Sequence, residues 1–311
     1  MTSLNIKDYL NNLPSVITVG TFDGIHLGHQ KLINIVLNIS KTENLKSVVL
    51  TFNPHPKIVL NNNPQISLLT TQQEKIKILN SFNIDYLITQ EFTKSFSRLS
   101  PLEFVRDILV NKLNAKHIVI GYDHHFGRNR DANSNQLLEF SKSFDFDVTE
   151  VEALNKNKIS VSSTKIRNLI FEGNIMDANR YLGYDFILTG NVVRGLGRGK
   201  KLGFPTANIN IDSKKIKPSD GVYFIYSVIN KKTCYGMMNI GKNPTFIDKG
   251  YSMEVHLFDF NEDLYGKELT IRMVEKIRDE MKFDSPNDLS FQLKIDKKKC
   301  LQIINSLKKT T

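Results

Sequence analysis

Short apolar runs alternate with stretches of helical periodicity through the first half of the chain, and this alternation constrains the fold more than any other feature. Strands are predicted at residues 15–20, 46–52, 84–89, 116–121 and 147–154. Helices are predicted between them, over residues 28–40, 70–82, 101–113 and 133–144. Repeated alternation of this kind predicts a doubly wound parallel sheet with helices on both faces. Such sheets bind ligands beyond the carboxyl ends of their strands.

The pattern changes near residue 184. From there β-type runs are separated by Gly, Pro and Asn turns, which predicts an antiparallel barrel or sandwich. Helical periodicity returns only over residues 286–309, where Leu289, Leu293, Cys300 and Ile304 form an apolar stripe under a lysine-rich face. This stripe indicates packing. Because 311 residues exceed the usual size of one core, two domains are predicted, 1–183 and 184–311.

Composition limits the cellular setting and the partners. The formal net charge of +10 suggests acidic partners, although the abundance of Lys, Asn and Ile would give the same balance by compositional drift. Only Cys234 and Cys300 are present, which excludes a disulfide framework and a thiolate zinc site. With no secretory signal and no apolar run long enough to span a membrane, a cytoplasmic protein without a membrane partner is predicted.

The loop GTFDGIHLGHQ (20–30) follows the first predicted strand and leads into a helix. Its glycines permit a tight turn and close approach of a ligand, and a helix N-terminus favours phosphate. His26 and His29 could donate hydrogen bonds to phosphate oxygens, could form a zinc pair, or could belong to an uninvolved turn. Since neither His55 nor His117 completes a recognisable zinc-ligand spacing, a phosphate site is favoured.

A resemblance to a known family rests on an ordered set of motifs. H-x-G-H after a strand is similar to the nucleotidylyltransferase signature, which class I aminoacyl-tRNA synthetases share. Together with TFNPHP (51–56), GYDHHFGRNR (121–130) and VSSTKIR (161–167), it resembles the FMN adenylyltransferase module of bacterial bifunctional riboflavin kinase/FAD synthetases. The resemblance covers essentially residues 14–182.

The resemblance implies that ATP and FMN are the substrates of this half and that FAD is a product. It implies catalytic roles at the ATP phosphates for His26 and His29. The other implied ATP- and phosphate-binding residues are Gly20, Phe22, Asp23, Gly28, Asn53, Ser162, Ser163, Thr164, Lys165 and Arg167. In such a reaction the FMN phosphate attacks the α-phosphorus of ATP and pyrophosphate leaves, without a protein nucleophile.

The third motif departs from the family pattern. The family commonly has an aromatic and a basic residue before FG, whereas His124 and His125 stand here. The motif still implies flavin binding by Asp123 and Phe126.

The second half resembles the riboflavin kinase module of the same family. RGLGRGKKLGFPTANI (194–209) matches neither G-x-x-x-x-G-K-[ST] nor G-x-G-x-x-G, and by itself it would be a flexible hairpin. Its PTAN sequence resembles the motif in which Thr206 and Asn208 hold Mg²⁺, a cation that prefers oxygen ligands. The implied phosphate-binding residues of this segment are Gly195, Gly197, Gly199 and Lys201.

YSMEVHLFDF (251–260) resembles the segment that carries the general base of the kinase. The resemblance implies this role for Glu254, acting on the 5′-hydroxyl of riboflavin. Strand alternation puts Glu254 and His256 on the face opposite Met253 and Val255, where Glu254 would otherwise be a solvent-facing residue. IRDEMKF resembles the flavin-side loop, which implies flavin binding by Arg278.

The resemblance implies an enzyme that makes FMN and then FAD with Mg²⁺ and ATP. Alternatives are a chain with one degenerate module, an RNA-binding or tRNA-charging protein, and a flavin-binding regulator without catalysis. No basic–aromatic nucleic-acid motif is present, and a regulator is expected to lose Glu254 or Thr206. Small-molecule substrates, no nucleic acid, and a monomer or weak oligomer are therefore predicted.

Overall fold

The computed structural model describes residues 1–10, 13–60, 66–122, 125–128, 132–153, 155–156, 159–195, 198–241 and 252–310. The chain forms two compact units, Met1–Ser163 and Thr164–Thr311. Among the described residues, no helix has the length and apolar character needed to cross a membrane.

A parallel sheet forms the centre of the first unit. Its strands are β1 (Thr2–Asn5), β2 (Ser15–Val19), β3 (Lys46–Asn53), β4 (Tyr86–Glu91), β5 (Ala115–Gly121) and β6 (Asp147–Val151). Their order is β1-β4-β3-β2-β5-β6, and every neighbouring pair is parallel. The chain passes from β2 to β3 and β4, then returns to place β5 on the other side of β2. The predicted doubly wound sheet is confirmed, and its switch point lies at β2, where such sheets bind ligands.

Helices cover this sheet. They are α1 (Leu27–Thr42), α2 (Pro56–Leu60), α3 (Gln72–Asn80), α4 (Pro101–Glu103) and α5 (Ser134–Phe144). The helix predicted over 101–113 continues from α4 as a π-helix, Phe104–Lys112, which buries Phe104, Val105 and Leu109. The strand predicted to end at residue 154 ends at Val151. β1 and α2 were not predicted, and a two-stranded hairpin, β7 (Asn155–Lys156) and β8 (Ile159–Ser160), follows β6.

The second unit contains a closed antiparallel barrel. Its strands are β9 (Phe186–Val193), β10 (Ala207–Ile211), β11 (Gly221–Ile229), β12 (Lys232–Gly241), β13 (Ser252–Leu257) and β14 (Glu268–Arg278). They close in the order β10-β13-β12-β11-β14-β9. Of the two architectures that the sequence left open, the structure therefore has the barrel, in which no strand is left as an edge.

Within the described residues from Ser163 onward there are four helices. They are α6 (Ser163–Phe171), α7 (Ile175–Leu182), α8 (Arg198–Lys201) and α9 (Pro286–Thr310). Asn179 of α7 donates hydrogen bonds to the Met273 carbonyl (2.9 Å) and to Asp185 (3.1 Å). Residues from Thr164 to α7 thus pack with the barrel, and the functional boundary at 183/184 stays a prediction.

The terminal helix α9 packs through the predicted apolar stripe. Cys300 and Ile304 are buried against barrel side chains that include Phe224 and Met237, and Leu293 packs at the edge of this cluster. α9 also contains a buried carboxylate, which the apolar stripe in the sequence did not predict. Asp296 is fully buried and accepts hydrogen bonds from the Arg278 Nε at 3.1 and 3.0 Å.

Removing the Asp296 carboxylate should destabilise the second unit. Asp296→Ala leaves the guanidinium of Arg278 without its buried partner, which typically costs about 3–5 kcal/mol of the free energy of unfolding. Calorimetry of the full chain should show a lower unfolding midpoint, whereas Asp284→Ala, at an exposed position before α9, should change it little. Equal midpoints for the two variants would contradict a stabilising role for this pair.

Candidate active sites

The loop after β2 has an unusual backbone. Phe22, Gly24 and Ile25 have φ values of 46°, 84° and 37°, in the left-handed region. Phe22 and Ile25 are nevertheless fully buried. Left-handed conformations of bulky residues cost free energy and persist only where the surroundings impose them. The loop is therefore held in a fixed shape by its contacts.

Asp23 supplies several of those contacts. Its carboxylate, 2% exposed, accepts hydrogen bonds from the backbone N–H groups of Thr70 (2.9 Å) and Leu69 (3.2 Å). The Thr70 hydroxyl in turn accepts from the Gly24 N–H at 3.1 Å. The Asp23 carbonyl accepts from the Ser163 hydroxyl at 2.9 Å. Asp23, predicted to bind phosphate, thus fixes the loop through both its side chain and its backbone.

His26 begins the helix that follows. It is the N-cap of α1, and its Nδ1 accepts a hydrogen bond from the His29 backbone N–H at 3.4 Å. An accepting Nδ1 carries no proton, so the neutral ring has its N–H on Nε2. A Cβ at Gly28 would come within 3.2 Å of the His26 ring, so glycine leaves room for the ring there.

His29 lies against His26. The two rings stack with centroids 3.7 Å apart, and Phe22 packs at 5.1 Å on His29. The Nδ1 atom of His29 is buried and has no hydrogen-bond partner among the described residues. Burial, then the charges of His26 and Lys75, lower the pKa of His29 well below 6.5. A neutral His29 ring keeps one N–H donor for a ligand.

The remaining residues predicted for this site fall into two groups. Gly20, whose N–H donates to the Leu50 carbonyl, and Asn53, exposed at the end of β3, lie at the carboxyl edge of the sheet. Ser162 and Ser163 close the first unit. Thr164, Lys165 and Arg167 belong to the second unit, where the Lys165 Nζ lies 3.0 Å from the Tyr181 hydroxyl.

Of the two residues predicted to bind flavin in the first unit, the structure describes Phe126. Phe126 is buried in the core and packs against Phe104, with ring centroids 6.0 Å apart. Asp123 lies outside the described residues, as does His124. Flavin binding by Asp123 and Phe126 stays a prediction.

In the second unit, the barrel brings the PTAN motif to Glu254. Asn208 of β10 and Glu254 of β13 are directly paired across the two strands. The Thr206 hydroxyl donates to Glu254 Oε2 at 3.2 Å, and Ser252 donates to Oε1 at 3.4 Å. Residues almost fifty positions apart therefore form one polar cluster at the end of the barrel.

Glycines make room for this cluster. A Cβ at Gly195 would overlap the side-chain amide of Asn208, and one at Gly199 would come within 3.2 Å of the Thr206 hydroxyl and overlap the Phe204 carbonyl. Hence the glycine-rich segment, ambiguous by sequence, lies directly against Thr206 and Asn208. Gly197 and the side chain of Lys201 lie outside the described part of the chain.

His256, whose role the sequence did not predict, holds the PTAN segment from the opposite face of β13 to Val255. Its Nδ1 lies 2.8 Å from the Pro205 carbonyl. Because a carbonyl only accepts, Nδ1 is the donor. Burial lowers the pKa of His256, which favours the neutral ring. The signal was its place two residues after Glu254 on the same face of a strand.

Arg278, predicted to bind flavin, is already engaged. Its Nε and Nη2 contact Asp296, with Nη2 at 2.9 Å, and Nη1 donates to the Asp279 carbonyl at 2.9 Å. The helix α9 therefore fixes the guanidinium at the end of β14, and flavin binding by Arg278 stays a prediction.

No group of three or more His, Cys, Asp or Glu side chains within the described ranges is arranged to hold a metal ion. The zinc alternative for His26 and His29 thus gains no further ligands there.

The fold and the two candidate sites define a class of two-unit proteins. One unit is a doubly wound parallel sheet and the other is an antiparallel barrel, and each contains a polar cluster. Family models agree with this division. A FAD synthetase model matches residues 9–165, and a riboflavin kinase model matches residues 182–304.

Whole-chain relatives carry both activities in their names. A bifunctional riboflavin kinase/FMN adenylyltransferase of Buchnera aphidicola (subsp. Schizaphis graminum) is 41% identical over 94% of each chain. The protein of that name from Bacillus subtilis is 34% identical over 95% of this chain and 94% of its own. A solved structure named a macrolide-efflux protein from Streptococcus pneumoniae is 34% identical, covers 96% of this chain and 98% of its own, and has a TM-score of 0.87. The chain belongs to the bifunctional riboflavin kinase/FMN adenylyltransferase family.

The His29 ring should stay neutral as the pH falls through 6.5, the ordinary pKa of histidine, because burial, followed by the electrostatic influence of His26 and Lys75, lowers its own pKa. An NMR titration should show its ring signals, assigned with His29→Ala, unmoved at pH values where the histidines of the urea-unfolded chain protonate. Protonation of His29 together with the unfolded reference would contradict the environment described.

Proposed function

We infer that this chain catalyses two successive reactions of flavin cofactor synthesis. Riboflavin and ATP give FMN and ADP, and FMN and a second ATP give FAD and pyrophosphate. The observation that carries the proposal is the match of both family models, in order, to residues 9–165 and 182–304 of this chain. The shared name of the relatives favours this function over tRNA charging or regulation without catalysis.

In the adenylyl transfer, an oxygen of the FMN phosphate attacks the α-phosphorus of ATP, and the bond to pyrophosphate breaks. The chain supplies positioning and donors for the developing charge. His26, through Nε2–H, and His29, through its remaining N–H, are proposed donors to ATP phosphate oxygens. The N-terminus of α1 adds backbone N–H groups and the favourable end of its dipole.

The other residues proposed for this reaction have supporting roles. Gly20 and Gly28 keep the loop close to the phosphates, Asp23 and Phe22 fix its shape, and Ser163 joins it to the SSTKIR segment. Direct phosphate contacts of Asn53, Ser162, Thr164, Lys165 and Arg167 are proposed from the family motif alone.

In the kinase reaction, the 5′-hydroxyl oxygen of riboflavin attacks the γ-phosphorus of ATP and ADP leaves. Glu254 is the proposed general base that accepts the hydroxyl proton. Hydrogen bonds from Thr206 and Ser252 orient its carboxylate. Gly195, Gly197, Gly199 and Lys201 are proposed to follow the phosphates of this second ATP.

The oxygen atoms beside Glu254 are suitable ligands for Mg²⁺. The Thr206 hydroxyl and the Asn208 amide carbonyl are oxygen ligands of the kind this cation prefers, and the adjacent glycines leave space that a side chain would fill. We propose that these two residues hold Mg²⁺, which when bound neutralises phosphate charge.

A cytoplasmic location is also proposed, since both cysteines are free thiols and the reactions consume ATP. A monomer or weak oligomer stays a prediction.

Variants of the two sites should separate the reactions. Glu254→Gln keeps the shape of the side chain but cannot accept the proton, so FMN formation should fall about 10²–10⁴-fold. His29→Ala removes a donor at the other site, so FAD formation from supplied FMN should fall about 10²–10³-fold. Each variant should keep the other activity, measured by separating the flavins after incubation with ATP and Mg²⁺. Loss of both activities in either variant would argue against two separate sites, and FMN without FAD in the wild type would refute the adenylyltransferase.

Gly195→Ala should impair the kinase alone. The added methyl group overlaps the Asn208 side chain and must displace a proposed Mg²⁺ ligand. The Mg²⁺ concentration that half-saturates FMN formation should rise, whereas Gly266→Ala, where a Cβ meets no atom within 4 Å, should leave it unchanged. Gly266 has a positive φ of 72°, which Gly195 does not, so Gly266→Ala also shows whether backbone strain at a distant glycine by itself alters the Mg²⁺ dependence. An unchanged Mg²⁺ dependence in Gly195→Ala would remove Asn208 from the proposed metal site.

A further inference from the structure

Lys75 of α3 lies behind the loop that carries His26 and His29, and no motif of the sequence marked it. It is 5% exposed. Its Nζ donates to the Thr21 carbonyl at 2.7 Å and to the Thr51 hydroxyl at 3.2 Å. The Thr51 hydroxyl also lies 3.2 Å from the Thr21 carbonyl. One ammonium group thereby joins the chain leaving β2 to the end of β3.

The Lys75 ammonium group lies at the ends of β2 and β3, next to the candidate ATP-binding loop. Thr21 follows Gly20 directly, and Thr51 precedes Asn53 by two residues. Both strand ends lie at the carboxyl edge of the sheet beside the switch point, where a doubly wound sheet binds its ligand. A shift of the Thr21 carbonyl would move Phe22, which packs on His29.

Retaining a charge at this position is costly. Lysine is almost never fully buried unless it is paired, and here its hydrogen-bond partners are uncharged oxygens. Burial lowers the pKa of Lys75 from 10.5 to about 8, although the charge of Asp23 opposes this. The nearby ionisable groups are thus Asp23, which favours the ammonium, and His29, whose pKa the ammonium lowers. A methionine would fill the same space without this cost.

We propose that Lys75 is a positioning residue for adenylyl transfer: its ammonium group ties the loop after β2 to β3 and keeps His29 placed for ATP. The inference rests on the proposed adenylyltransferase activity of the first unit. Lys75 acts through the loop and contacts no reacting atom. At neutral pH most molecules carry the ammonium, and as the pH rises through about 8 the charge is lost and the two hydrogen bonds of Nζ become weaker.

The test uses the full chain and four proteins: wild type, Lys75→Met, Lys75→Arg and Lys77→Met. Lys77 is an exposed lysine on the same helix, so Lys77→Met controls for the loss of one charge from α3. FAD formation from supplied FMN and ATP is measured as kcat and KM. FMN formation from riboflavin, catalysed by the other unit, checks in each sample that the protein is intact.

Lys75→Met should lower kcat/KM for FAD formation about 10- to 100-fold, because misplacing a reacting geometry by about 1 Å can cost about 100-fold. Lys77→Met should match the wild type. In an NMR titration, the pKa of His29 should rise in Lys75→Met because one neighbouring positive charge is gone, whereas Lys75→Arg, which keeps that charge, should leave the pKa of His29 low.

If Lys75→Met does not fold, the pH dependence of kcat/KM still tests the inference. In the wild type, kcat/KM for FAD formation should fall as the pH rises through about 8, the pKa of the free enzyme's Lys75. Lys75→Arg, which remains charged, should move this fall to higher pH. An unchanged profile in Lys75→Arg, or FAD formation by Lys75→Met within about twofold of wild type, would overturn the inference. Wild type that makes no FAD at any pH would instead refute the adenylyltransferase function.

Discussion

The carboxylate of Asp23 lies in the interior and accepts two backbone hydrogen bonds from Leu69 and Thr70. A buried carboxylate is tolerated only when its oxygens are satisfied, so these bonds fix the segment before α3 against the loop after β2. The same residue receives Ser163 on its carbonyl. Three distant parts of the first unit therefore meet at one residue, and these contacts hold the loop in which Phe22 and Ile25 have a left-handed backbone.

The order imposed by Asp23 gives His26 and His29 their chemistry. His26 caps α1 through Nδ1, which leaves Nε2–H for a ligand, and His29 is kept neutral by burial. A rigid loop with defined donors suits a reaction in which the protein forms no covalent bond with the substrate. Preorganised donors stabilise the transition state because they need not reorient as charge develops.

In the barrel, the polar side chains are positioned by strand pairing. Cross-strand pairing places Asn208 beside Glu254, while His256 holds the Pro205 carbonyl next to Thr206. Backbone pairing in a closed barrel has no edge at which the register can slip, so the polar cluster is fixed by the strands themselves. In the first unit, by contrast, two buried ionisable side chains, Asp23 and Lys75, hold the loop after β2 through hydrogen bonds.

Sequence alone determined the fold class, because periodicity of two or 3.6 residues records which face of each element is buried. It also located the motif residues His26, His29, Thr206 and Glu254, since their spacing within a segment is local. Only the tertiary structure decided how Asp23 and Lys75 are used. Asp23 stands in a phosphate-binding motif yet holds the loop, and Lys75 stands in an ordinary helical pattern yet lies behind it. The partners of both come from segments 24 to 140 residues away, and hydrogen bonds over such separations leave no periodic trace in the sequence.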